Sequence, residues 1–172
     1  MNATDHVSGL LNALGLSEDP ETSQTPERFS EFLAMYNPRR APPSIEVLEA
    51  KSNDAIVLRD LPFYSLCAHH LLPFFGAVSI AYVPDGRIAG LGGFARVVAD
   101  LARRTQLQER LTGQIADVLT TQLTPQGLGV RIEARHMCME MRGAEATGQI
   151  ETEAWRGALG DDPYLRTLLG AP

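Results

Sequence analysis

Hydrophobic positions along the chain shift between helical and strand spacing. Near the start, Val7, Leu10, Leu11 and Leu14 recur at helical intervals and stop near Gly15. Thr25-Pro26-Glu27-Arg28 predicts a second short helix, with Thr25 as N-cap and Pro26 at the first helical position. Its apolar stripe is Phe29, Phe32, Leu33 and Tyr36. Residues 37–44 hold three prolines and read as a linker or arm. A strand is expected around 55–59 and another over 77–83. After a turn at Pro84-Asp85-Gly86, Arg87–Ala89 is expected to resume the pairing as a hairpin. Two helical stripes follow, Phe94, Val97, Val98 and Leu101, then Leu107, Leu111, Ile115 and Val118, with a break near Arg104-Thr105. Thr124-Pro125-Gln126-Gly127 is a turn. Over 128–139 the even positions Leu128, Val130, Ile132, Ala134, His136 and Cys138 oppose Arg131, Glu133 and Arg135. This period of two predicts a strand with His136 and Cys138 on its buried face, at its end. The remainder is mixed, with a short helix expected over 162–169. The elements divide into N-terminal helices with a proline-rich arm (1–50) and an α+β domain (51–172).

The length of 172 residues suits one domain or two small ones. Apolar residues at 44% and charged residues at 21% are ordinary for a soluble globular chain. The net charge of -6 argues against a general nucleic-acid surface and against docking on anionic lipid. The 15 basic residues include only one lysine, Lys51, so lysine chemistry has a single candidate. The longest run without Asp, Glu, Lys or Arg, residues 61–84, contains three prolines, Gly76 and two histidines. It suits a buried core better than a membrane span. The start MNATDHVSGLL lacks the basic and long apolar regions of a secretory signal, so a cytoplasmic, reducing compartment is expected. Two cysteines, Cys67 and Cys138, do not make a disulfide scaffold.

Three of the 4 histidines lie within three residues of a cysteine. In Cys67-Ala68-His69-His70, Cys67 and His70 are spaced to reach one ion from a single tight turn, and Cys138 can supply a third ligand. Two thiolates and one imidazole leave one tetrahedral position open, the pattern of a catalytic zinc site that activates water. Iron accepts the same donors. The alternative is two buried cysteines acting as small hydrophobes beside hydrogen-bonded histidines. His69 and His136 adjoin these positions and suit either proton transfer or packing support. On spacing alone, Glu109 lies off its helix's apolar stripe and reads as a surface residue, and Arg96 and Arg142 carry no signal as anion binders.

Together these residues form a set that resembles the GTP cyclohydrolase I family. The resemblance runs from about Thr25 to the C-terminus and is carried by TPERF, LPFYSLCAHHLLPFFG, AYVPDGRIAGL, RRTQLQERLTGQIADVL and EARHMCMEMRG. It implies a tunnelling fold, or T-fold, with an antiparallel sheet backed by two helices. Subunits would join into pentamers that pair as a decamer, with sites between subunits. It implies Cys67, His70 and Cys138 as zinc ligands and His69 and His136 as proton-transfer groups. Glu109, with Gln108 beside it, would hold the guanine edge, and Arg96, Arg142 and Arg28 would contact a triphosphate. The implied reaction opens a purine imidazole ring at C8, releases formate, rearranges the ribose and yields dihydroneopterin triphosphate.

Several positions depart from the family pattern. Ala68 replaces a glutamate, Gly92 and Gly93 replace a serine and a phosphate-binding lysine, and Thr105 replaces a proline. A threonine run becomes Glu151-Thr152-Glu153-Ala154. With the lysine lost, and if Glu151 and Glu153 faced the phosphates, local charge would swing by about three units, each close pair worth on the order of 1–3 kcal/mol. The expectation is therefore a diverged member, acting on a less phosphorylated purine or stopping at a formamidopyrimidine. Ordinary GTP cyclohydrolase I, with Arg103, Arg104 or Arg156 replacing the lysine, and a non-catalytic zinc-stabilised member are the two other readings.

Overall fold

A computed structural model describes residues 1–36, 43–49, 51, 54–157 and 163–170. The chain divides into two compact units, Met1–Pro38 and Arg39–Pro172. In the first, helix α1 (Ala3–Ala13) opens with a capping box: Asn2 accepts from the Asp5 backbone, and Asp5 accepts in return from the Asn2 backbone. Helix α2 (Thr25–Ala34) starts one residue earlier than expected, with Gln24 at the cap. Most of the proline-rich arm, residues 37–42, lies outside the described residues.

The second unit is α+β. Strands β1 (Val47–Glu49), β2 (Ile56–Cys67), β3 (Pro73–Val83) and β4 (Arg87–Ala89) come first. Helix α3 (Leu91–Ala102), the two-residue β5 (Thr105–Gln106) and helix α4 (Gln108–Leu123) follow. Strand β6 (Gly127–His136), the one-turn α5 (Met137–Glu140), β7 (Ile150–Gly157) and the short α6 (Pro163–Thr167) complete the unit. The main sheet has the order β5-β2-β3-β6-β7, antiparallel except where β5 runs parallel to β2.

One face of this sheet carries the apolar alternation of β3 and β6. Val78, Ile80, Tyr82, Leu128, Val130 and Ile132 are buried there against Phe94, Val97 and Leu101 of α3 and Leu111, Ile115 and Leu119 of α4. Each such side chain contributes roughly 1.5–3 kcal/mol of burial. The expected antiparallel sheet backed by two helices is thus what forms. On the opposite face, Arg131 and Glu133 alternate with the core residues. There Trp155 and Leu169 close over Gly129, where an added Cβ would meet the Trp155 ring at 2.4 Å.

Four local expectations differ from the structure. Strand β2 extends to Cys67 because a bulge between Leu58 and Leu61, with Asp60 at φ 58°, interrupts the alternation without ending the pairing. Segment β4 does not pair with β3, whose two edges are already filled by β2 and β6; it forms a separate ribbon with β1. The regular alternation of β6 stops at His136. Its last partner is Phe74, and the next residue toward the start of β3, Pro73, has no N–H to extend the ladder. The backbone therefore turns, with the Met141 N–H donating to the Met137 carbonyl, and Cys138 sits on this turn rather than on a strand face. The inward alternation of Ile150, Thr152 and Ala154 in β7 is a further strand, too short and too charged to stand out in the sequence.

Gly76 marks the closest approach of β3 to β6. A Cβ there would lie 1.9 Å from the Glu133 carbonyl oxygen. Gly76→Ala is expected to cost about 3 kcal/mol and to lower the melting temperature by roughly 10 °C at fixed protein concentration. An unchanged melting curve would contradict this strand spacing.

Candidate metal and catalytic site

At one end of the sheet, three chain segments meet. The turn after β2 is tight: the Cys67 carbonyl accepts from the N–H groups of His70 and Leu71 (3.3 and 2.8 Å), and Cys67 N–H donates to Leu72 O. Leu71 completes it in the left-handed region at φ 55°. This doubling-back brings His70 Nδ1 to 3.6 Å from Cys67 Sγ. The pairing of β3 with β6 delivers α5, and Cys138 with it, to the same place. Ligand atoms of Cys67, His70 and Cys138 all lie within 4.8 Å of one another. Neither cysteine is in a disulfide.

That donor set fits a thiophilic dication. Ligands of a tetrahedral zinc stand roughly 3.3–3.8 Å apart, and small rotations about χ1 would close the present spacing. Two sulfurs and one nitrogen leave one tetrahedral position for a non-protein ligand. Burial raises the Cys138 thiol above its ordinary value, and the neighbouring Cys67 sulfur raises it further, while the Arg142 cation works the other way. Two crowded sulfurs of this kind favour a cation between them.

Beside this cluster stands His136, last residue of β6. Its ring stacks on Phe74 at 4.7 Å and 8°, and its Nε2 lies 2.7 Å from Gln108 Oε1. Burial lowers the His136 imidazolium below the ordinary histidine value; the charge of Glu109 opposes that by a smaller amount. Gln108 and Glu109 open α4, which has no side-chain cap, so a carboxylate in its first turn complements the exposed N–H groups. Strand β5 ties this helix start to the ligand turn: Cys67 pairs with Gln106, and Ala68 N–H donates to Gln106 O. His69 is exposed on the turn, its ring 6.0 Å from that of His70.

The arginines divide. Arg142 acts electrostatically on Cys138 and so belongs near the cluster. Arg96 lies on the exposed side of α3, its guanidinium near Gly92, with no hydrogen bond or ion pair to the cluster among the described residues. Arg28 is in the first unit, donating to Gln24 Oε1 at 2.6 Å. Of the arginines considered as replacements for the missing lysine, Arg156 is engaged with Asp117 at 2.7 Å. Arg104 is turned back onto the Asp100 carbonyl, and Arg103 is exposed. Sequence reasoning missed Thr112 and Thr152, both inward-facing and hydrogen-bonded around Gln108. Thr112, one turn after Gln108 within an apolar stripe, was the available signal.

Comparison with known proteins decides the kinship. The model of the GTP cyclohydrolase I family matches residues 3–170. This chain belongs to the GTP cyclohydrolase I family. A GTP cyclohydrolase 1 of Chlorobium phaeovibrioides is 47% identical over 146 residues, covering 80% of this chain and 66% of the relative. One of Aquifex aeolicus is 44% identical over 162 residues, covering 88% and 85%. Among solved structures, an archaeosine synthase QueF-like protein in the apo form matches at 19% identity and a TM-score of 0.47, over 60% of this chain and 96% of that one. The family is one of hydrolases acting on cyclic amidines, and the sheet backed by α3 and α4 is its T-fold. No helix among the described residues is long and apolar enough to cross a membrane.

Against this family background, the expected divergence needs correction. Its main support was a pair of carboxylates facing the phosphates. Glu151 instead pairs with Glu133 in register and binds Arg131 at 2.6 Å, on the face opposite the core. Glu153 lies on that face too, accepting from Trp155 Nε1. Only Thr152 of this run turns toward His136 and Gln108. Relatives at 44–47% identity carry the ordinary enzyme's name.

Arg135 grips Glu140 through two bonds of 3.0 and 2.5 Å, holding the carboxyl below the usual range and fastening the turn that carries Cys138. Glu140→Gln is expected to weaken Co2+ binding about tenfold, read from the thiolate-to-cobalt absorption band during titration. Unchanged affinity would mean that α5 holds its place without the clamp.

Proposed function

We propose that the chain is a GTP cyclohydrolase I of the ordinary kind, converting GTP to dihydroneopterin triphosphate with release of formate. One observation carries this reading: Cys67, His70 and Cys138 gather in one cluster, with His136 two residues before Cys138 and within reach of the Glu109 charge. The 44–47% identity to relatives of that name supports it.

Cys67, Cys138 and His70 would hold zinc, which when bound supplies the Lewis acidity that sharpens a water molecule into a nucleophile at neutral pH. Glu109 accepts the N–H donors of the guanine edge and fixes the purine. His136 and His69 move the protons. Water adds at C8, the C8–N9 bond breaks, and N9 takes a proton, leaving a formamide on N7. A second hydrolysis breaks that amide and releases formate. Neutral imidazole is the useful state for accepting a proton, and burial favours that state at His136. Arg96 and Arg142 contact the triphosphate. The working form is a cytoplasmic homo-oligomer of paired pentamers with sites between subunits, an arrangement that would also remove exposed strand edges.

Incubation with GTP, GMP and guanosine, read by mass spectrometry and pterin fluorescence, is expected to show GTP consumed in preference. Preferential turnover of GMP or guanosine, or accumulation of a formamidopyrimidine, would restore the diverged reading. His136→Ala is expected to lower turnover by about 10²–10⁴-fold with zinc content unchanged, whereas Cys138→Ala loses both. Loss of zinc in the histidine variant would make His136 a ligand and break the scheme.

A further inference from the structure

The resemblance placed Gln108 against the substrate base, yet its side chain is engaged elsewhere. Gln108 is 2% exposed. Its Nε2 faces three oxygens: Ile132 O at 3.1 Å, Ile150 O at 2.9 Å and Thr152 Oγ1 at 3.1 Å. Carbonyl oxygens only accept, so the amide cannot be turned round without setting Oε1 against two of them. Oε1 is therefore the atom 2.7 Å from His136 Nε2. An amide oxygen also only accepts, so Nε2 carries a hydrogen.

The two hydroxyls agree with this orientation. Thr112 Oγ1 gives its single hydrogen to the Gln108 carbonyl at 2.8 Å. Thr152 Oγ1, 2.7 Å from Thr112 Oγ1, must then be the donor of that pair, which leaves it free to accept from Gln108. Every direction in the network follows from backbone carbonyls at its ends. The stack on Phe74 fixes the plane of the His136 ring but not which nitrogen points inward; the Gln108 bond makes that choice.

We propose that Gln108 is a positioning residue that holds His136 in its Nε2–H tautomer, leaving Nδ1 as the nitrogen that meets the substrate. Nδ1 makes no hydrogen bond among the described residues. Histidines commonly have their tautomer set in this way by a partner on the far nitrogen. The consequence for turnover rests on the reaction proposed above; the tautomer itself does not.

The test uses the zinc-loaded full chain labelled with 15N-histidine, observed by solid-state NMR. The His136 signals are assigned by their loss in His136→Asn. Wild type is expected to show the Nε2–H form alone; an Nδ1–H form or a mixture would overturn the proposal, whether or not GTP is turned over. Gln108→Leu is expected to release the tautomer and to lower kcat by about 10–100-fold with KM for GTP within about twofold. A raised KM with kcat retained would make Gln108 a substrate contact instead. Thr152→Val removes one acceptor but leaves both carbonyls, so the tautomer should persist and kcat fall less than in Gln108→Leu. An equal kcat loss with the tautomer intact would make the network structural and overturn the proposal. If wild type shows the expected tautomer but consumes no GTP, the functional reading fails and the tautomer assignment stands.

Discussion

Two sulfurs and an imidazole nitrogen held within 4.8 Å of one another are the constraint around which this end of the molecule is arranged. Burial, and then the neighbouring Cys67 sulfur, disfavour the Cys138 thiolate when no cation is present. Backbone features from separate parts of the chain must coincide to hold them there. The turn from Cys67 to Leu72 folds His70 back onto Cys67. The ladder between β3 and β6 ends at Phe74 and His136, so that the chain turns and presents Cys138. The short parallel pairing of β5 ties Cys67 to the start of α4. A thiophilic cation would offset the crowding, which gives the arrangement a physical reason to persist.

The sheet separates the two kinds of charge chemistry. Its inner face, covered by α3 and α4, carries the core and, at its open end, His136 and Thr152, which meet Gln108 of α4. Its outer face carries Arg131 between Glu133 and Glu151, and the docked C-terminal segment, whose Leu168 and Leu169 carbonyls accept from Arg59 and Arg131. Glu151 and Glu153 therefore lie on the sheet face opposite the one that carries Thr152 and meets Gln108. This strict separation follows from the two-residue period of β6 and β7: a one-residue slip would exchange the faces.

Much of this was legible in the sequence. The inward face of β6, the two helical stripes and the Cys67, His70 and Cys138 set were read from spacing, and the family from its motifs. Three things were hidden. The bulge at Asp60 breaks the period that a strand is recognised by, so the part of β2 from Asp60 to Cys67 was missed. Cys138 was assigned to a strand face because the alternation continues in the letters after the ladder has run out at Pro73. The charges of Glu151 and Glu153 were visible, but their side of the sheet was not, since β7 itself was not recognised. In each case the deciding fact is which strand lies alongside, a long-range property that local periodicity does not encode.

The central claim is that this cluster is a three-ligand metal centre with one open position. X-ray absorption at the zinc edge of the purified full-length protein tests it most directly. The account predicts two sulfur neighbours at about 2.3 Å and two nitrogen or oxygen neighbours at about 2.0 Å, one of the latter exchangeable. A shell without sulfur, or a closed set of four protein ligands, would contradict it.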